Sequence, residues 1–440
     1  MKKRSMLSML SLLIFAMVFI SEIVFASSNI SAMESQIVKK IELNESSAIS
    51  LLERVVNINS GTMNIDGVRK VGSIFEDEFK KLGFKVTWID GKPFKRAGHL
   101  LAEYGTKGPK LLLIGHLDTV FAKDSPLQSY TPTANNHIMG PGITDMKGGD
   151  VVMLYALRAL HESGVLDTIS VRVILTGDEE KRGRPLALAT KVLLDAGEWA
   201  DIAIGFEDGD GDPKTAVVSR RGSSGWSLNV TGKANHSSQI FRQDYGYGAI
   251  FETARILNAF REALSTVSNL TFSPGLILGG TEIDLDNSNA KGTSYGKTNV
   301  IAKTTRVIGD IRALRPEQLT HAHKVMRDIT SNNLNQTSAS IDFTKGYPPM
   351  APSDGNHKLL AIYNQISLDL GYGKVESVDP RKAGAADISF VAEQVDMAID
   401  GLGLMGSGGH TELETADMAT LPQQTKRAAL LFYRLGRMPL

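Results

Sequence analysis

The chain has 440 residues, of which 42% are hydrophobic and 22% charged; this is a normal globular composition and excludes an intrinsically disordered chain. Its 48 basic and 48 acidic residues give a formal net charge of zero, so nothing favours a nucleic-acid partner, whose binding needs a basic excess. Cysteine is absent, which excludes disulfides and thiolate metal sites and leaves histidines and carboxylates as ligands for a transition metal. The length predicts two domains.

Residues 1–26 have the pattern of a secretory signal. Three basic residues at positions 2–4 precede an apolar stretch over residues 6–20, and Val24 and Ala26 are small residues at the two recognition positions of a signal peptidase. Ser8 and Ser11 within this stretch, and Ser21 and Glu22 directly after it, limit its apolar length, whereas a membrane-spanning helix needs about 20 apolar residues. We therefore predict a cleaved signal, a secreted or periplasmic protein and no membrane span after cleavage. An uncleaved anchor is the alternative.

The first half of the mature chain alternates between strand and helix patterns. After a polar stretch over residues 27–42, which predicts a loose terminus, strands are predicted at residues 84–89, 100–104, 110–115, 169–176 and 201–206. Helical spacing of apolar residues falls between them, at residues 46–52, 68–82, 146–163 and 185–196. This alternation predicts an α/β fold, a mixed sheet with helices on both faces.

The pattern then changes to that of an α+β module with its own sheet. Strands are predicted at residues 225–232, 277–285 and 299–314, and helices at residues 247–266 and 316–329. Helices return at residues 356–370, 386–395 and 421–435, with a short strand at residues 395–399. The second module is therefore predicted as an insertion: residues 27–221 and 347–440 form the main domain, and residues 222–346 form the inserted one.

Three acids in a row follow the strand predicted at residues 169–176. Asp178, Glu179 and Glu180 stand where the strand gives way to a loop, which is where open α/β sheets place their sites. Adjacent carboxylates repel one another unless a cation or a shared proton offsets the repulsion. This segment alone is equally well explained by a solvated acidic turn.

Other candidate side chains stand at further strand ends and in glycine-rich loops. His116 follows a buried-looking strand, and Asp118 shares its face of an extended chain, where it can accept a hydrogen bond from the imidazole. Asp145 opens a helix after a glycine-rich turn, where it could cap the helix or bridge two cations. Glu207 ends the next strand and His410 lies in a glycine loop. This inventory suits two zinc ions that share a carboxylate.

Five strings extend these observations to a known family. GHLDTV, GITDMKGG, TGDEE, GFED and GGHTELE, in this order and at these separations, resemble the co-catalytic zinc family of glutamate carboxypeptidase, aminoacylase, acetylornithine deacetylase and related dipeptidases. The resemblance covers nearly all of the mature chain. It implies a zinc-peptidase-like catalytic domain, an inserted lid that is also the usual dimerisation domain, and hence a homodimer. It also implies hydrolysis of an amide bond in a small peptide or an N-acyl amino acid.

The resemblance also implies a role for each matched residue. Two zinc ions, with cobalt or manganese possible instead, would be held by His116 and Glu207 on one side, by Glu180 and His410 on the other, and by Asp145 between them. 

The catalytic roles follow from the same match. Glu179 would be the general base that takes a proton from the water between the metals and passes it to the leaving amine, and Asp118 would orient His116. His236, in the string GKANHSS of the lid, would help to stabilise the tetrahedral oxyanion, often from the partner subunit.

The substrate side matches less fully. Asn299, Arg312 and the loop at Gly384 match positions that contact substrate. Where glutamate carboxypeptidase-like members carry an Arg-Pro pair that grips the substrate's terminal carboxylate, this chain has Tyr347-Pro348, so that guanidinium is missing. Candidate substitutes are Arg312, Arg220, Arg221, Arg381 and Lys382.

Three functions therefore remain open from the sequence. A carboxypeptidase or other exopeptidase is favoured. An aminoacylase or deacetylase is the alternative, motivated by Tyr347. A non-catalytic protein that binds amino acids or peptides is the third.

Overall fold

The computed structural model describes residues 30–286 and 290–438 of the chain. The predicted signal, residues 1–26, lies outside the described residues, and its cleavage stays a prediction. Within the described part, no helix is long and apolar enough to cross a membrane. The longer helices are Ala32–Val56, Ile65–Lys81, Gly148–Glu162, Lys191–Gly197, Gly248–Leu264, Pro316–Ser331, Asp354–Asp369 and Thr420–Leu435.

A six-stranded mixed sheet forms the centre of the larger part of the molecule. Its strands lie in the order Lys85–Asp90, Gly98–Tyr104, Ser170–Thr176, Lys110–His116, Ile202–Gly205 and Met397–Ile399. The last four run parallel to one another, and the first two are antiparallel to their neighbours. Parallel strands end at the same edge of a sheet, so the residues that follow three of these strands are brought together there.

Helices cover both faces of this sheet. Along the strand Lys110–His116, Leu111 and Leu113 belong to one hydrophobic cluster, whereas Leu112 and Ile114 belong to another on the opposite face. A strand buried on both faces is a continuous apolar run, as this one is. The predicted α/β fold with a mixed sheet is confirmed.

The loose terminus predicted at residues 27–42 is wrong, because the helix Ala32–Val56 begins within it. Ser31 caps this helix: its hydroxyl accepts from the Glu34 N–H at 3.3 Å, and the Glu34 carboxylate accepts from the Ser31 N–H at 2.7 Å. Ile37 and Ile41 lie on the buried face. The capping signal was present in the sequence, but the polar residues of the exposed face obscured the helical spacing.

Two other helix predictions also differ from the structure. The segment predicted as one helix at residues 185–196 is split at Thr190, whose hydroxyl bonds back to the Leu186 carbonyl at 2.9 Å. The helix predicted at residues 386–395 is only a short turn, Asp387–Phe390. Its backbone is shaped by distant contacts, since the Asp387 carboxylate accepts from the Thr176 hydroxyl at 2.6 Å.

A separate antiparallel sheet forms the lid, for which the strand order is Thr271–Gly280, Thr304–Ala313, Gly222–Gly232 and Thr337–Tyr347. The last of these strands was not predicted. Helices Gly248–Leu264 and Pro316–Ser331 pack on one face, where alternate residues of the central strand, such as Trp226 and Leu228, are buried. A hairpin of Glu282–Asp286 and Lys291–Tyr295 extends from the edge strand. The exact domain boundaries stay a prediction.

A small sheet lies beside the carboxyl edge of the central sheet. Its strands are Gly406–Ser407, Thr415–Asp417, His137–Met139 and Thr131–Pro132. The loop between the first two carries His410, so this sheet brings the C-terminal segment to the edge where the parallel strands end.

Candidate metal centre

Three neighbouring parallel strands deliver candidate side chains to one edge of the central sheet. His116 is the last residue of its strand, Glu179 and Glu180 follow the strand that ends at Thr176, and Glu207 follows the strand that ends at Gly205. The shared direction of the strands therefore places an imidazole and three carboxylates together, although they are distant in sequence.

Asp145 reaches the same place from a tight turn before a helix. Gly142 in this turn has φ of +69°, a conformation that favours glycine. A Cβ atom on Gly149 would lie 1.9 Å from the Phe206 carbonyl oxygen, so only glycine lets the helix start this close to the strand end that carries Glu207. The glycines of this motif thus position Asp145.

The first group of possible ligands is buried. The Nε2 atom of His116 lies 3.0 Å from Asp145 Oδ1 and 3.6 Å from Glu207 Oε1, and the three ligand atoms lie within 4.8 Å of one another. The imidazole is only 1% exposed. Its Nδ1 atom lies 2.9 Å from the Asp118 carbonyl oxygen, so Nδ1 carries the proton and Nε2 is free to ligate.

The second group shares Asp145 with the first. His410 Nε2 lies 2.9 Å from Asp145 Oδ2 and 3.2 Å from Glu180 Oε2, again with all ligand atoms within 4.8 Å. Each oxygen of Asp145 therefore faces one histidine. Unlike His116, the His410 side chain is 59% exposed.

The donor set fits two divalent cations. It offers two imidazole nitrogens and three carboxylates, which suit zinc and also other divalent transition metals. Burial, and then repulsion from the charge of Asp145, raise the pKa of Glu207 well above its usual range. Positive charge between them would offset this repulsion.

The hydrogen-bond partners of the Asp118 carboxylate differ from the predicted partner, which was the imidazole of His116. Its Oδ1 atom lies 3.6 Å from His116 Nδ1, beyond hydrogen-bond distance, and the backbone carbonyl takes that place. Instead, the carboxylate accepts from the backbone N–H of Glu179 at 3.0 Å and of Glu180 at 3.2 Å, and from the Thr62 hydroxyl at 2.6 Å. Asp118 thus holds the loop that carries both glutamates.

Glu179 lies beside the two ligand groups. Burial, followed by the charge of Asp387, raises the pKa of its carboxyl to about 8, while His116 opposes the shift. A carboxylate with a pKa near neutrality can both accept and return a proton under ordinary conditions. Its backbone carbonyl accepts from the Tyr347 hydroxyl at 2.8 Å.

Glu414 supports Asp145 and was given no role from the sequence. This buried carboxylate accepts from three backbone N–H groups of the Asp145 loop, those of Gly142 at 3.0 Å, Thr144 at 2.9 Å and Asp145 at 3.1 Å. It stands four residues after His410 and therefore ties the two loops together. Its place in the string GGHTELE was the available signal.

His99 supports the acidic loop and was also missed. Its Nδ1 atom accepts from the Gly177 N–H at 3.2 Å, and its Nε2 atom lies 3.0 Å from the Ala189 carbonyl. Burial, and then the charge of Arg182, lower its pKa to about 4, so the ring is neutral at neutral pH. Nothing near His99 in the sequence indicates this contact.

Arg220 and Gly384 are joined to the Glu207 side of the centre. Arg220 is buried and donates from Nε to Asp400 at 2.9 Å and from a terminal nitrogen to the Gly384 carbonyl at 2.7 Å. Asp400 in turn accepts from the Glu207 N–H at 3.3 Å. Arg220 is therefore part of the frame around Glu207.

The structure brings His236 and Asn299 together on the lid. The Ser237 N–H donates to the Asn299 carbonyl at 2.9 Å. His236 is exposed, and its Nδ1 atom lies 2.9 Å from the Ser238 hydroxyl. Among the described residues, none of the hydrogen bonds or ion pairs of His236 reaches either ligand group.

Arg312 lies on the lid strand Thr304–Ala313. Its Nε atom donates to Asp310 at 3.0 Å. Burial, and then the positive charges of Arg312 and Arg381, lower the pKa of Arg221, while Asp379 and Asp310 oppose the shift. Arg312 and Arg381 therefore both lie near Arg221, among acidic neighbours.

Comparison with known proteins agrees with the fold. The model of peptidase family M20/M25/M40 matches residues 112–434. This span contains the whole lid and the edge of the six-stranded sheet at which the ligand groups lie. The chain belongs to this family. It is therefore a metallohydrolase acting on peptide or amide bonds, and the non-catalytic alternative is not supported.

Three individual proteins illustrate the relationship. Carboxypeptidase G2 of Pseudomonas sp. (strain RS-16) is 27% identical over 395 residues, which cover 88% of this chain and 89% of that protein. A probable succinyl-diaminopimelate desuccinylase of Staphylococcus aureus is 26% identical over 384 residues, 82% of this chain and 90% of that one. The crystal structure of an aminopeptidase from Bacillus cereus superposes with a TM-score of 0.71 at 18% identity, covering 89% of this chain and 99% of the other; this last likeness shows the fold alone.

Proposed function

We propose that this M20 metallohydrolase is an exopeptidase of the carboxypeptidase type that cleaves an amide bond in a small peptide. The observation that carries the proposal is the pair of ligand groups sharing Asp145, with the carboxyl group of Glu179 close enough to interact with His116 and Glu180. The 27% identity to carboxypeptidase G2 over 88% of the chain supports the choice of bond.

The residues that would hold two zinc ions are His116, Asp145 and Glu207 for one, and Asp145, Glu180 and His410 for the other. When bound, such a pair of ions lowers the pKa of water and polarises the substrate carbonyl. Cobalt or manganese would fit the same nitrogen and oxygen donors.

Glu179 is proposed to move the proton. Its carboxylate takes a proton from the attacking water and passes it to the leaving amine, and burial, which raises its pKa, helps it to hold the proton between the two steps. The Asp118 carboxylate holds the Glu179 N–H in place throughout. One side chain thereby serves as base and then as acid.

Replacing Glu179 tests this role. Glu179→Ala should lower kcat by about 10²–10⁴-fold, the usual contribution of a general base, while metal content and unfolding midpoint stay unchanged. The exposed Glu198→Ala is the matched control. Wild-type turnover by Glu179→Ala would reject the base assignment and, with it, the proposed mechanism.

The group formed by Arg221, Arg312 and Arg381 is proposed to bind the free carboxylate of the substrate. Arg312, with Arg221 and Arg381 close by, supplies the positive charge that the chain lacks at Tyr347, and Asn299 and the loop at Gly384 are proposed as further contacts. Arg312→Gln should raise KM for dipeptides with a free C-terminus and leave KM unchanged for their C-terminal amides. Equal effects on both would reject this assignment.

Deacylation of N-acyl amino acids is the second candidate. It is favoured by Tyr347 at the position of the family's arginine and by the 26% identity to a probable desuccinylase. A panel of dipeptides and acyl amino acids, run with the zinc-loaded protein, separates the two. A clear preference for dipeptides would end the deacylase candidate, and the reverse would end the carboxypeptidase one.

We propose that the lid forms a homodimer in which His236 serves the partner's site. Exposed apolar side chains lie together on the lid: Phe241 and Phe251 are 59% and 52% exposed, and the Phe241 ring lies 5.6 Å from those of Tyr247 and Phe251. Exposed apolar patches of this kind mark association sites. Phe251→Glu should give a monomer by sedimentation, whereas Leu43→Glu, at an exposed leucine outside the lid, should not.

Subunit mixing tests the role of His236. If His236 acts in trans, a 1:1 mixture of His236→Ala and Glu179→Ala chains should recover about a quarter of wild-type activity, because half the dimers are mixed and each has one complete site. If His236 acts within its own chain, the mixture should stay as inactive as its components.

The proposed secreted or periplasmic location depends on removal of residues 1–26. The first described helix begins at Ala32, after the predicted cleavage point. N-terminal sequencing of protein from the expressing cells should start at Ser27. A start at Met1 in a membrane-bound fraction would favour the uncleaved anchor instead.

A further inference from the structure

Tyr347 occupies the position where the resemblance placed an arginine, and the structure gives it a different partner. A guanidinium is present there after all, but it comes from Arg182, which follows the acidic loop in sequence. The terminal nitrogen Nη2 of Arg182 donates to the Tyr347 hydroxyl at 2.7 Å, and the guanidinium carbon lies 5.4 Å from the centre of the tyrosine ring.

Arg182 has no capacity left to bind a substrate. Its side chain is 5% exposed, and it forms ion pairs with Asp178 and Asp387, which are 0% and 4% exposed. Burial opposes the charge of Arg182, but Asp387, Tyr347 and Asp178 raise its pKa well above the usual value, so the guanidinium stays charged. All three nitrogens of the guanidinium therefore have partners within the protein.

The Tyr347 hydroxyl links Arg182 to the backbone of Glu179. The hydroxyl accepts from Arg182 and donates its own hydrogen to the Glu179 backbone carbonyl at 2.8 Å. The N–H of Glu179 is held on its other side by Asp118 at 3.0 Å. The backbone of Glu179 is therefore fixed at both its N–H and its C=O group.

The same contact joins the lid to the main sheet. Tyr347 is the last residue of the lid strand Thr337–Tyr347, while Glu179 and Arg182 belong to the loop after a central strand. A second link runs beside it, because the Arg184 guanidinium donates to the Lys345 carbonyl at 3.3 Å. Phe390, whose ring lies 4.9 Å from that of Tyr347, packs against the tyrosine.

We propose that Tyr347, held by Arg182, is a positioning residue that ties the end of the lid to the Glu179 carbonyl and so fixes the carboxyl of Glu179 relative to the substrate. The inference rests on the proposed role of Glu179 as base. It assigns Tyr347 a positioning role rather than a part in binding a substrate carboxylate.

Tyr347→Phe is the direct test, because it removes only the hydroxyl and keeps the ring that packs on Phe390. We expect kcat to fall about tenfold, the effect of losing one hydrogen bond of about 1.4 kcal/mol. KM and metal content should stay within twofold of wild type. Tyr295→Phe removes a hydroxyl from an exposed tyrosine of the same lid and should change nothing.

Hydrogen exchange supplies a readout that does not depend on turnover. In Tyr347→Phe, the amides of Glu179 and Glu180 should exchange several-fold faster than in wild type, while those of the lid strand Gly222–Gly232 should be unchanged. A merely local packing defect would instead lower the unfolding midpoint and leave the exchange of these two amides unaltered.

Arg182→Lys tests the hydrogen bond between Arg182 and the Tyr347 hydroxyl. Lysine keeps the charge between Asp178 and Asp387 but lacks the planar fork that also reaches the hydroxyl. We expect a similar loss in kcat, and the double variant Arg182→Lys with Tyr347→Phe should lose little more than either single variant, because both act through one carbonyl.

The outcomes separate this inference from the proposed function. Wild-type kcat in Tyr347→Phe, or a change confined to KM, overturns the positioning role while an inactive Glu179→Ala leaves the base assignment in place. Activity in Glu179→Ala would instead remove the proposed function itself.

Discussion

The two halves of the candidate metal centre are built alike in chemistry and differently in structure. Each offers one histidine, one glutamate and one oxygen of Asp145. His116 is 1% exposed and ends a central strand. His410 is 59% exposed and lies in a loop, where its own backbone φ is +63°. The sheet fixes the first half before any ion binds, but the second half depends on a C-terminal loop. We therefore expect the ion at His410 to exchange more readily than the ion at His116.

Removing each histidine in turn should give the largest difference between the halves. His116→Ala should lose the ion of its half and destabilise the apoprotein by about 2–4 kcal/mol, because it leaves a buried gap and an unpaired Asp118 carbonyl. His410→Ala should lose its ion but destabilise the apoprotein by only about 1 kcal/mol, because the imidazole that pairs with Asp145 and Glu180 is 59% exposed. Metal analysis and urea unfolding measure both. Equal destabilisation by the two substitutions would contradict the comparison.

Glu414 should matter to both halves, because it holds the loop of the shared Asp145. In Glu414→Gln, the new NH₂ group would face the Gly142 N–H, which now donates to the carboxylate at 3.0 Å. We expect the affinity for metal to fall about 10–100-fold in both halves, as is typical when a group supporting a ligand is replaced. Competition with a chromogenic chelator measures this. A loss confined to one ion would mean that the two halves do not depend on a common loop.

The most local expected effect is a pH dependence from His99, which supports only the acidic loop of the His410 half. Its folded pKa of about 4 is lower than the usual 6.5, so the neutral form is favoured in the folded state. Its contribution to stability is therefore complete above pH 6.5 and is lost as the pH falls toward 4. Relative to His99→Gln, the apoprotein should lose up to about 3 kcal/mol over this range. A difference that does not change with pH would show that the ring titrates normally.

Local sequence patterns were enough to predict the sheet and the candidates at its edge. Strands such as Lys110–His116 are continuous apolar runs, and parallel strands necessarily end together, so residues following them in separate parts of the chain can be expected to meet. His116, Glu180 and Glu207 are cases of this rule. The ordered motifs added His410, which no periodicity could have placed.

The supporting contacts were not predictable in the same way. Tyr347 and Glu179 are 168 positions apart in the sequence, and Glu414 lies 269 positions from Asp145. Neither spacing follows from a helical or extended repeat. The Asp118 carboxylate illustrates the limit at short range as well: the alternation of side chains predicted an imidazole partner, but the Thr62 hydroxyl and the backbone N–H groups of Glu179 and Glu180 occupy its oxygens.

Metal content of the purified protein tests the central claim most directly. Protein prepared without chelator and analysed by mass spectrometry of its metals should contain about two divalent ions per chain, and Asp145→Asn, which alters the residue shared by both halves, should lose both of them. Two ions retained in Asp145→Asn, or almost none in the wild-type protein, would contradict the account.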